Sequence, residues 1–122
     1  MLIINKDRAL ELLQWVIKGK EGFVYRASED STVSCVYIKD GKPSCLIAQA
    51  LHAAGATIGQ LFEMDLAESD SGIGRVDMPS GLRVTQGARE VFGVAQWSQD
   101  FGKPWGVCLD EAIDVHREAT QP

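Results

Sequence analysis

Three cysteines and two histidines, Cys35, Cys45, Cys108, His52 and His116, have the widest chemical repertoire of any residues in this chain. Zinc is held by paired ligands such as Cys-x-x-Cys or by two histidines on adjacent helical turns, and neither spacing occurs here. Cys45 and His52 are seven apart and could share a helix face. Cys35 and Cys108 fall on apolar stripes, where a free thiol behaves as a small hydrophobe. His116 lies on the inner stripe of the last helix and reads as a hydrogen-bonded core residue. A nucleophile needs a base and an orienting group beside it, which leaves Ser44 or Cys45 with His52 or His116. Both candidates sit at a helix start, where the dipole lowers a thiol pKa, but no nucleophile motif surrounds them. We therefore expect no enzyme activity, no metal and no cofactor.

Three further constellations bear on binding. The phrase Gly41-Lys42-Pro43 recurs as Gly102-Lys103-Pro104, each time opening a helix, and a helix N-terminus with a nearby lysine attracts anions. Lys42, Ser44 and Lys103 are thus candidates for holding a small anion or a nucleotide, although the multi-glycine cradle of a phosphate loop is missing. Residues 47–64 have the outline of a helix-turn-helix with Gly55 as the turn glycine. Its second helix carries Glu63 and no base-reading Lys or Arg, which disfavours DNA binding. The third constellation is the surface 96–105, where Trp97, Phe101 and Trp105 mix with amides and charges in the manner of a recognition patch. The competing reading is that Trp97 and Trp105 staple the last two helices together.

The elements that must position these groups are organised around residues 32–55. Val33, Cys35 and Tyr37 alternate with Ser34, Val36 and Ile38 as in a strand, and Asp40-Gly41 is a strong turn pair. Pro43 suits the first position of a helix. Ile47, Ala50, Leu51 and Ala54 then recur at helical spacing, and Gly55 stops the run. Upstream, residues 2–4 form a short edge strand, Asn5 a cap, and Ala9, Leu12, Leu13, Val16 and Ile17 one stripe of an amphipathic helix. Residues 23–27 read as a strand that pairs with 33–39 as a hairpin.

Downstream, Thr57 and Gln60 make a capping box for a short helix through Met64. Residues 65–74 read as a polar surface loop, and 75–78 with 82–84 as a second small hairpin. Thr85 caps a helix with two apolar stripes, one of Ala88, Val91, Phe92 and Ala95 and another of Val94, Trp97 and Phe101. Gly102 ends it and Pro104 starts the last helix, whose inner face is Trp105, Cys108, Leu109, Ala112, Ile113 and Val115, with Asp110, Glu111, Asp114 and Glu118 outward. Residues 119–122 read as a frayed tail.

A chain of 122 residues with 45% hydrophobic composition is one globular domain, residues 1–122, with a core that needs no staples. No run of about 18 apolar residues is present, the start is unlike a secretory signal, and an odd number of cysteines suits reduced thiols. These point to the cytoplasm and away from a membrane. The net charge is -5, and no Lys or Arg occurs from Ser44 through Gly74, so no nucleic acid is expected along that stretch.

The phrases CVYIKDGKPSCLIAQAL and AQWSQDFGKPWG resemble those of small uncharacterised proteins of actinobacteria and their bacteriophages. The resemblance runs from about Phe23 to Ala112; it implies an origin and a cytoplasmic setting and supplies no catalytic residues. The expected fold is α+β, four to five helices on a small antiparallel sheet built from the hairpin 23–39. The expected role is a non-enzymatic binding or regulatory protein. Its partner would be another protein or a second copy of itself, met through Val94, Trp97, Phe101 and Trp105. The alternative is a small-anion or nucleotide binder, and the third reading a helix-turn-helix DNA binder.

Overall fold

The computed structural model describes residues 1–26, 36–67, 73–74 and 76–122. Its elements are β1 (Leu2–Ile4), α1 (Lys6–Ile17), β2 (Ile38–Lys39), β3 (Lys42–Pro43), α2 (Leu46–Ala53), α3 (Ile58–Ala67), β4 (Leu82–Val84), α4 (Gln86–Asp100) and α5 (Trp105–Glu118). The architecture is α+β and mostly helical, as expected in outline. The sheet is not.

β1 pairs with β4, in parallel, with Leu2 opposite Leu82 and Ile4 opposite Val84. This displaces the expected hairpin of 75–78 with 82–84: the apolar residues of β4 find their alternating partner at the chain's beginning, where Ile4 is fully buried. Residues 23–26 are irregular, so no strand starts there; the other half of the expected 23–39 hairpin, up to Cys35, lies outside the described residues. What exists is a two-residue hairpin of β2 with β3, Lys39 opposite Lys42. Asp40 and Gly41 turn it at φ of 55° and 74°, the paired positive angles that the tightest hairpin turn requires. Pro43 consequently stands in a strand opposite Ile38, not in the first turn of a helix.

Helix boundaries follow local capping chemistry. The Asn5 side chain accepts from Arg8 N at α1, Thr57 and Gln60 bond reciprocally at α3, and Thr85 accepts from Ala88 N at α4. α3 continues past Met64 to Ala67, taking Asp65 out of the expected loop. α2 and α4 end in the same way. Gly55 N and Ala56 N reach back to His52 O and Leu51 O, and Gly102 N and Lys103 N to Gln99 O and Ser98 O, with both glycines at positive φ.

One continuous core joins the predicted stripe of α1, Leu46, Ile47, Ala48, Ala50 and Leu51 of α2, and Ala88, Val91, Phe92 and Ala95 of α4, with Trp105, Cys108 and Ala112 of α5 packed on them. α4 lies at the centre, against α1, α2 and α5. Residues 119–122 are not frayed: Lys6 Nζ donates to Ala119 O, and Pro122 O accepts from Lys6 N and from the Thr85 hydroxyl. Gly87 makes that approach feasible, because a Cβ there would stand 2.3 Å from Gln121 O.

Candidate functional site

The inner face of α4 is polar as well as apolar. Gln96, Ser98 and Gln99, read from the sequence as part of a surface patch, are buried. Gln96 accepts from Ile73 N at 2.6 Å and donates to the Tyr37 hydroxyl at 3.1 Å. Gln99 accepts from Leu46 N at 2.9 Å, the first amide of α2, whose own N-cap, Cys45, supplies no side-chain bond. Arg89 holds the carbonyls of Ile73, Val76 and Val84. Asp65 of α3 takes the amides of Tyr37 and Ile38, both at 2.8 Å. These side chains fasten loops to helices, and burial raises the worth of each bond by making a missing partner costly.

The outer face of α4 is left open. Trp97 and Phe101 are 56% and 66% exposed, their ring centroids lie 4.4 Å apart, and Val94 one turn earlier is half-buried. Lys103 Nζ stands 5.7 Å from the centre of the Trp97 ring while bonded to Glu111 at 2.9 Å, and Glu111 also accepts from the Ser98 hydroxyl. Glu111 is therefore turned toward α4, not outward. The cation over the indole and the tilted phenyl pack against Trp97 without covering it. Asp100 adjoins the stripe, and desolvation pushes its carboxyl up to about 6 against the lowering effect of a Gln99 bond.

Of the four residues expected at an interaction surface, Val94, Trp97 and Phe101 share this stripe and Trp105 does not. Trp105 is 1% exposed, with Phe23 edge-on at 4.7 Å, so it belongs to the core. Its ring partner, Phe23, lies in neither of the last two helices.

The expected anion residues are also separated in role. Gly41-Lys42-Pro43 starts no helix, and the Ser44 and Tyr25 hydroxyls share a hydrogen bond of 2.7 Å. At the other phrase a helix does start, but Trp105 N and Gly106 N donate to Phe23 O and Glu21 O at 2.8 Å. Those two donors are therefore not available to an anion.

The nucleophile and metal candidates are dispersed. Cys45 and Cys108 are buried, and burial pushes the Cys108 thiol up to about 11, with Glu111 adding to the effect. Cys35 lies outside the described residues. His52 is on the exposed side of α2, bonded to Ala56 O, so it does not share a face with buried Cys45. His116 is half-exposed and meets Asp7 at 2.7 Å, an inter-helix pair of α5 with α1 in place of the expected core contact. Among the described residues no cluster of His, Cys, Asp and Glu is arranged to hold a metal, and no helix is long and apolar enough to cross a membrane. α2 and α3 are joined through residues 54–57, and α3 carries no Lys or Arg.

Comparison with protein-family models, with curated proteins and with solved structures found no match to this chain.

Proposed function

We propose that this is a non-enzymatic binding protein that docks another protein through the outer stripe of α4. The observation that carries the reading is the Trp97–Phe101 ring pair, more than half exposed on a helix whose other side is buried in the core. An indole already in contact with a neighbouring phenyl and an ammonium has less side-chain freedom to lose on binding, which is the property of an interface anchor. The stripe spans about two helical turns, short of the 800 Å² or so per partner of a standard interface. It therefore suits the anchor of a transient complex better than the whole seam of an obligate dimer.

The test compares wild type with Trp97→Ala/Phe101→Ala in affinity capture from a lysate of the source cell, alongside light scattering on a sizing column. Proteins retained by wild type and lost with the double variant, both forms eluting as monomers, are the expected result. Identical captured sets remove the proposal, and a wild-type dimer that the variant abolishes replaces the partner with a second copy.

A further inference from the structure

A cleft of about 600 Å³ opens between the end of α1, the β2–β3 hairpin and α2. Trp15, Lys18 and Lys20 reach it from α1 and its C-terminal turn, Lys42 from β3, and Gln49 and His52 from α2. Acidic residues outnumber basic ones 17 to 12 in the chain, yet three ammonium groups line this one concavity and no carboxylate does. Among the described residues none of the three lysines is in an ion pair. Like charges gathered round a hollow repel each other until an anion enters.

The remaining groups supply a second kind of contact. Trp15 is 71% exposed, an indole offered on the solvent side of α1. Gln49 Nε2 donates to Ser44 O, which leaves Oε1 to accept from an exocyclic amine. His52 Nδ1 meets the Ala56 carbonyl, and a carbonyl only accepts, so Nδ1 carries the proton and Nε2 is left for the cleft.

We propose that this cleft binds a nucleoside di- or triphosphate, the base stacked on Trp15 and edged by Gln49 and His52, the phosphates among Lys18, Lys20 and Lys42. The volume falls within the usual range for small-molecule sites. A nucleic acid strand is the poorer fit, since a polymer needs a continuous cationic track and the chain outside this cleft is acidic. The inference is independent of the α4 stripe, which lies on different residues.

The experiment is calorimetric titration in EDTA with ATP, GTP and UTP, with adenosine, tripolyphosphate and a ten-residue oligothymidylate as comparators. At least one nucleotide is expected to bind saturably, about tenfold or more tighter than adenosine or tripolyphosphate, and to weaken with added salt. Trp15→Ala and Lys18→Ala/Lys42→Ala should each lower that affinity about tenfold. Both variants alter exposed side chains and should keep the wild-type melting temperature, and Trp97→Ala should bind as wild type. Absence of saturable binding at millimolar nucleotide overturns the proposal. So does tripolyphosphate binding as tightly as ATP, or an oligothymidylate binding more tightly than any mononucleotide, or affinity unchanged in both cleft variants.

Discussion

The same three residues, Gly-Lys-Pro, occur twice in this chain and do different things. Both glycines take positive φ, 74° at Gly41 and 81° at Gly102, so the local backbone demand is shared. At the first, Asp40 precedes the glycine in a two-residue hairpin turn, and Lys42-Pro43 continues as a strand. At the second, the glycine closes α4 and Pro104 N-caps α5. The lysines diverge as well: Lys103 is bonded to Glu111 and seated over an indole, while Lys42 points into a basic cleft. A short phrase fixes a turn glycine; what flanks it decides whether strand or helix follows, and whether the cation is already matched.

Five perturbations break or sharpen this contrast. Trp105→Ala, which empties the core beside the second phrase, should cost about 3–5 kcal/mol, whereas Pro43→Ala, in the hairpin of the first, should change stability by less than about 1 kcal/mol; urea unfolding measures both. The same assay should show Gly106→Ala costing about 1–3 kcal/mol, because a Cβ there would stand 3.0 Å from Glu21 Cβ and 3.1 Å from Glu21 O. Gly41→Ala and Gly102→Ala have open space around them, so each should lose only the left-handed backbone cost of about 1–2 kcal/mol. Equal losses would show that the glycine is the shared part of the phrase.

The fourth perturbation is pH. Asp100 has its carboxyl raised from 3.8 to about 6, so the folded chain holds a proton there that the unfolded chain releases. Its contribution is fully present below the lower value and declines as pH rises through the higher one. Asp100→Asn should flatten the melting-temperature profile over that interval and stabilise slightly at pH 7, by under about 1 kcal/mol since the residue keeps solvent access. The smallest effect separates the lysines. Lys103→Ala should cost about 0.5 kcal/mol and shift Trp97 fluorescence, while Lys42→Ala should do neither.

What was legible in the sequence was local. The caps at Asn5, Thr57 and Thr85, the stops at Gly55 and Gly102, and the stripe of α1 each depend on residues within a turn or two. The pairing of β1 with β4 joins residues some eighty positions apart, and nothing near either strand announces the other. Buried amides were the other blind spot. Gln96 and Gln99 alternate with Trp97 and Asp100 in a stretch that reads as surface, but helical geometry puts Gln96 and Gln99 on the inner side. Their neighbours Phe92 and Ala95 carried the only signal that could have found them: each amide lies one turn beyond the apolar stripe. For the candidate stripe, helical spacing sets Val94, Trp97 and Phe101 apart as a second face; the same spacing puts Trp105 in line with Cys108 and Ala112, and its burial follows that stripe and not the aromatic composition of 96–105.

α2 is eight residues long, and its first amide is bonded by a glutamine fifty-three positions later. A segment so short has little propensity to form by itself, so its onset waits on the arrival of α4. Deuterium uptake at Leu46 should accordingly follow opening of the entire molecule, not fraying of one helix tip.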